Sequence, residues 1–168
     1  MGPFLIVNLS ITHKDMTKDT SHAETNAIAW LKTIDNYFQI YQFCNDEIEG
    51  CEMTIGAKIT MRSELGFSGD NKSEVLESLQ ERVQEDPLSV QIRSGWYSPG
   101  ATPEPQEFEI LLSTGGPALR IIGELGSYNI PQSCELQYQD WGTPWTEYYN
   151  GDNASLEWFC QQFYYGES

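Results

Sequence analysis

The chain has 168 residues and carries 25 Asp and Glu against nine Lys and Arg, which gives a formal net charge of −16 at pH 7. Its 39% hydrophobic content is enough for a core, which excludes a disordered chain that is acidic because it lacks apolar residues. A folded chain of this length buries roughly two-thirds of its unfolded surface. Its surface should repel nucleic acid and membranes of anionic lipid, and attract basic protein surfaces over a Debye length of about 8 Å.

The negative charge is concentrated towards the C-terminus. Met1 to Arg93 contains eight basic and fifteen acidic residues, whereas Ser94 to Ser168 contains ten acidic residues and a single basic one, Arg120. Such an imbalance serves either solubility alone or the attraction of a basic partner.

The N-terminus favours a strand over a secretory signal. The apolar stretch Phe4 to Ile11 is short, has no basic residues before it and is broken by Asn8 and Ser10. No apolar run of about 18 residues predicts a membrane span. We therefore expect a reducing, cytoplasmic compartment. There we expect small buried thiols that form no disulfide and bind no zinc, at Cys44, Cys51, Cys134 and Cys160.

Two helices are predicted in the first half. Ser21 and Glu24 fit a capping box, and apolar residues then recur at spacings of three and four at Ala27, Leu31, Ile34, Phe38 and Tyr41. A second helix is predicted from Asn71 to a stop at Asp86-Pro87, with Val75, Leu76, Leu79 and Val83 on its apolar face. Between them, residues 45–70 contain several glycines and are predicted to be irregular strands or a mobile insertion.

After residue 87 the apolar period changes to two. Half-buried strands are predicted around Leu88 to Arg93, Glu107 to Leu112, Leu119 to Ile121 and Cys134 to Gln139. Short turn-rich connections favour antiparallel neighbours, because parallel pairs need long crossovers.

A final helix should open at Asp152 or Asn153 and end at Gly166. The prediction is a single α+β domain over residues 1–168, with an antiparallel meander of four or more strands packed against two or three helices. The helices cover one face of the sheet, and the other face is open to solvent or a partner.

No motif for catalysis, a metal or a cofactor emerges. The residues Ser113 to Pro117 lack the Lys of a phosphate-binding loop and join two strands. The cysteines lack the paired short spacings of a zinc site, and His13 and His22 lie in a polar segment. Glu107 with Glu109, or Glu124 with Glu135, could act as a carboxylate pair, but acidic pairs arise by chance in a chain with 25 of them.

The segment from Tyr138 to Tyr149 contains two Trp and three Tyr around a Gly-Pro turn. Trp141 and Trp145 either plug an edge of the sheet or anchor an interface, since Trp and Tyr are enriched at binding hot spots.

Three stretches carry a resemblance, namely Ile110 to Leu125, Gln139 to Tyr148 and Gln162 to Glu167. They resemble small acidic proteins of bacteriophages and other mobile elements, over roughly Leu88 to Glu167. The resemblance implies the host bacterial cytoplasm during infection, where small acidic phage proteins disarm host defence, as the anti-CRISPR proteins do. It assigns no functional residues.

The function predicted from these observations is an inhibitor of the anti-CRISPR type that works without a cofactor. It would bind the basic nucleic-acid groove of a CRISPR effector or another nucleic-acid-handling defence complex. The alternatives are a small enzyme acting on a nucleotide or other small ligand, and a phage structural or assembly factor. The candidate partner-binding residues are Glu104, Glu107, Glu109, Glu124, Glu135, Asp140, Trp141, Trp145, Glu147 and Asp152.

Overall fold

The structure is a computed structural model that describes residues 21–45 and 71–166. Helix α1, His22–Asn45, begins as its capping residues predict, because the Glu24 amide donates to the Ser21 hydroxyl oxygen at 3.1 Å. Its buried stripe includes Ala27, Leu31 and Ile34. The predicted strand Phe4 to Ile11 and residues 46–70 lie outside the described residues.

Helix α2, Lys72–Glu85, also follows its sequence signals. Asn71 caps it by accepting from the Glu74 amide at 3.0 Å, and its buried residues Val75, Leu79 and Val83 recur at helical spacing. Helix α2 packs against α1.

Five strands form one antiparallel sheet in the order of the chain, which confirms the α+β meander. They are β1 Ser89–Arg93, β2 Glu107–Ser113, β3 Ala118–Glu124, β4 Glu135–Gln139 and β5 Thr146–Tyr148. The connection from β2 to β3 is short because Gly115 adopts a φ of +103°, which residues with a Cβ rarely accept. Each strand is hydrogen-bonded to the strand that follows it in the chain.

One face of the sheet, the inner face, holds the core. Strand β2 alternates half-buried and buried residues, with Phe108, Ile110 and Leu112 pointing inwards. Helix α1 packs against β3 and β4, and helix α3, Ala154–Cys160, packs against α1. Phe159 of α3 is fully buried in this layer. Helix α1 therefore lies on the inner face, as predicted, and α3 packs on α1.

Two details of the sequence prediction were wrong. Leu88, Val90 and Ile92 were expected to form the buried side of a half-buried strand, yet they are 58%, 37% and 49% exposed, because helix α1 lies mainly over β3 and β4. The last helix ends at Cys160 and not at Gly166. The amides of residues 162 and 163 bond three residues back, to Phe159 and Cys160, so the chain tightens into turns.

Two further details add to the predicted organisation. Thr146–Tyr148, within the predicted aromatic turn, is a short strand that pairs with β4. Cys44, Cys134 and Cys160 are buried, as expected, whereas Cys51 lies outside the described residues. None of the described helices combines the length and the apolar character needed to cross a membrane.

Candidate binding surface

The second face of the sheet, which we call the outer face, collects most of the predicted carboxylates. Because side chains alternate along a strand, the residues that flank the buried ones in β2 point outwards, as do their cross-strand partners. The carboxylates of this face are Glu107, Glu109, Glu124, Glu135 and Glu147.

Strand register arranges these side chains in three cross-strand rows. The first row runs Arg93, Glu107, Glu124, and the second runs Gln91, Glu109, Ile122, Glu135. The third runs Ser89, Leu111, Arg120, Gln137, Glu147. The outer face therefore combines acidic residues with two apolar side chains, Leu111 and Ile122, and two arginines.

Arg120 is held in place from three directions. Its Nη1 donates to Glu109 Oε2 at 2.7 Å, and its Nε and Nη2 donate to Gln137 Oε1 at 3.1 and 2.9 Å. The guanidinium carbon lies 4.1 Å from the centre of the Trp145 ring, a cation–π contact. The only base of the C-terminal part is thus engaged within the face.

The other arginine is also paired. Arg93 makes an ion pair with Glu107, its direct cross-strand neighbour. Among residues 21–45 and 71–166, neither Glu124 nor Glu135 makes an ion pair. Both line a groove of about 410 Å³ on the outer face, with Ile122 between them. The groove therefore offers two carboxylates that form no ion pair with an arginine of the described residues.

The remaining predicted carboxylates lie away from the outer face. Glu104 is exposed in the connection between β1 and β2. Asp140 opens the turn after β4, where its amide bonds to the Thr143 hydroxyl at 3.1 Å. Asp152 Oδ1 accepts from the Ala154 amide at 3.0 Å, so this carboxylate helps to start α3. Five of the eight predicted carboxylates therefore lie on the outer face, and these three lie elsewhere.

Neither tryptophan of the aromatic segment is in the core. Trp145 is half-buried on Arg120, and Trp141 is 82% exposed. The Trp141 ring lies so close to Gly116 that a Cβ there would sit 1.9 Å from it. Of the two alternatives, the edge plug does not fit the exposed Trp141, whereas Trp145 folds back on Arg120 of the sheet.

The structure also tests the proposed carboxylate pairs. Glu124 and Glu135 lie on neighbouring strands, but the residue directly opposite Glu124 is Glu107, and the residue opposite Glu135 is Ile122. In the described part of the chain, no three His, Cys, Asp or Glu side chains are grouped closely enough to hold a metal ion.

Among the outer-face residues that the candidate list left out are Arg93 and Gln137, which bind other members of this face. Both alternate with apolar residues in predicted strands, so the period of two already placed them opposite the core. What the period could not supply was their partners, because register is a property of two strands together.

Comparison of the chain with models of protein families, with curated proteins and with solved structures finds no match. The resemblance to phage proteins stays a prediction, and the function has to be argued from the outer face itself.

Proposed function

We propose that this protein is an inhibitor that acts in the host bacterial cytoplasm by occupying the basic nucleic-acid groove of a defence complex, with a CRISPR effector as the leading candidate. The observation that carries the proposal is the outer face, which brings five carboxylates onto one surface of a rigid sheet. Binding needs no cofactor and no catalytic group.

Electrostatics supports a basic protein as the partner. The outer face has five carboxylates and two arginines, a net charge of −3, within a protein of net charge −16. Such a field raises the association rate with a positive surface and lowers it with nucleic acid. A groove that evolved for DNA is lined by Lys and Arg. Ordered carboxylates that enter such a groove displace its counterions, as phosphates do.

The density of charge sets a limit on the likeness to DNA. The three rows span about 13 Å along the strands and about 19 Å across the sheet. About 13 Å of duplex carries about eight phosphate charges, against the net −3 of the outer face. The outer face alone is therefore a weaker anion than DNA, and tight binding requires contacts other than charge.

The test uses purified guide-loaded CRISPR effectors, each assayed for binding of its target DNA with and without the protein. The proposal expects that at least one effector loses DNA binding. The outer-face variant carries Glu124→Lys, Glu135→Lys and Glu147→Lys, and it should associate at least tenfold more slowly at low salt, with a smaller effect as salt rises.

A matched control carries Glu77→Lys, Glu81→Lys and Glu85→Lys, three exposed positions of α2. It changes the net charge by the same amount on a different surface. If the two triple variants inhibit equally well, net charge alone is responsible and the outer face is not the interface. If no effector in the panel responds, the assignment to CRISPR effectors is overturned.

A small-ligand enzyme is the second candidate, and the groove favours it. Its volume of about 410 Å³ falls within the range of about 300–1,000 Å³ usual for small-molecule sites, and Glu107 and Glu124 face each other within it. Titration of the protein with nucleoside monophosphates and triphosphates, measured by calorimetry, checks this alternative. Saturable binding that Glu124→Gln abolishes would favour it over the inhibitor.

A further inference from the structure

One end of the sheet exposes a group of large apolar side chains that we call the aromatic end. It comprises Trp96 and Tyr97, in the connection from β1 to β2, and Tyr128 and Ile130, in the connection from β3 to β4. Trp96 is fully exposed and Tyr128 is 81% exposed, while Tyr97 and Ile130 are more than half exposed. Exposed large apolar residues that share one end of a fold are candidates for an interaction site.

Hydrogen bonds hold the base of the loop that presents Trp96. The Gln106 amide donates to the Arg93 carbonyl oxygen at 2.9 Å, and the Leu125 amide donates to the Gln106 carbonyl oxygen at 2.8 Å. The Gln106 side chain closes over Gly95, where a Cβ would lie only 2.3 Å from Gln106 Oε1. Trp96 directly follows Gly95, so its ring projects from a backbone that these contacts hold in place.

The second connection presents Tyr128 in an uncommon backbone conformation. Tyr128 has a φ of +63° and Asn129 a φ of +55°. The Asn129 side chain is buried and its Nδ2 donates to the Gly166 carbonyl oxygen at 2.9 Å. Positive φ is rare for a bulky residue, and here it leaves the ring in solvent. Strained segments of this kind concentrate at functional sites.

Trp96 connects the aromatic end with the outer face. Trp96 lines a depression of about 810 Å³ together with Arg93, Glu107 and Glu124, and the last three also line the acidic groove. A molecule bound over the groove therefore meets carboxylates first and the exposed Trp96 ring next to them. Those carboxylates disfavour a nucleic acid or an anionic membrane as the occupant.

We propose that the aromatic end is the apolar anchor of the binding surface and that Trp96 inserts into an apolar recess beside basic residues of a protein partner. The inference rests on the proposed function and deepens it, because it supplies the contacts that a net charge of −3 lacks. Buried Trp residues at the centre of interfaces carry much of the binding energy. Charge then governs how fast the partner associates, and Trp96 governs how slowly it leaves.

The test uses two twelve-residue peptides of equal charge, one alternating arginine with leucine and the other alternating arginine with serine, titrated into the full chain at physiological salt. The arginine–leucine peptide should bind at least tenfold more tightly. Trp96→Ala should remove that preference and Tyr128→Ala should reduce it. Tyr149→Ala, which removes a ring that is 64% exposed elsewhere, should keep it.

The outcomes separate this inference from the proposed function. If the preference survives Trp96→Ala, or never exists, the anchor is overturned, whatever the charge variants do. Suppose that Trp96→Ala removes the preference while the outer-face triple variant binds both peptides like the parent. The role of Trp96 as an anchor is then supported, and the role of the outer-face carboxylates in binding is refuted. Tighter binding of a twelve-nucleotide single strand than of either peptide would overturn the choice of a basic protein partner.

Discussion

Replacing Arg120 by Met removes the guanidinium and keeps most of the apolar stem. The side chain is 23% exposed and its ionic partner Glu109 is 32% exposed. The variant loses a charge-assisted bond to Glu109, two bonds to Gln137 and the stack on Trp145. The question is how much of that gross interaction appears in the free energy of unfolding.

A hydrogen bond to a charged group contributes about 1.5–3 kcal/mol, and a cation–π contact adds about 0.5–2 kcal/mol depending on its burial. Water reaches part of this cluster, so it partly solvates Glu109 and Gln137 once Arg120 is gone. We therefore expect a loss of about 2–3 kcal/mol, less than the sum of the separate terms. For a chain of this size that is about 4–12 °C in melting temperature.

Arg93→Met is the matched control on the same face. Arg93 also pairs with a cross-strand glutamate, but its side chain is 77% exposed, and surface ion pairs are worth about 0–1 kcal/mol. Urea unfolding of both variants at one pH measures the difference. Equal losses in the two variants would refute the reasoning, because they would show that the half-buried cluster around Arg120 contributes no more than a surface pair.

Three further predictions concern the core and its titrating groups. Phe159→Ala, at a fully buried ring 5.2 Å from Phe163, should cost about 3–5 kcal/mol in urea unfolding, whereas Tyr164→Ala, at an exposed ring, should cost under about 0.5 kcal/mol. Burial, with the bond to Asp86, raises the pKa of Tyr37 to about 12. The parent should therefore lose stability as pH rises from 10 to 12, because the unfolded chain releases that proton first. Tyr37→Phe should lose less across that window, and equal slopes would count against it. Burial also raises the pKa of the Cys160 thiol, so a thiol reagent at pH 8 should label Cys160 only after denaturation, and labelling in the native protein would contradict its burial.

Local signals in the sequence determined the elements and their order. The caps at Ser21 and Asn71 depend on bonds within one helical turn, and the change of period after Pro87 separates helices from strands. The same period placed Glu107 and Glu109 opposite the buried residues of β2. These features could be predicted because each depends on residues a few positions apart.

Only the tertiary structure decided which side chains meet and which faces are covered. The residues Leu88, Val90 and Ile92 have the alternation of a buried strand, yet they are exposed because helix α1 lies mainly over β3 and β4. Thr146–Tyr148 is too short to be recognised alone and is a strand because it pairs with β4. Pairing also sets Glu107 against Glu124 and brings Arg120 to Glu109, Gln137 and Trp145. Register and coverage belong to pairs of elements that are distant in the chain, so no local pattern contains them.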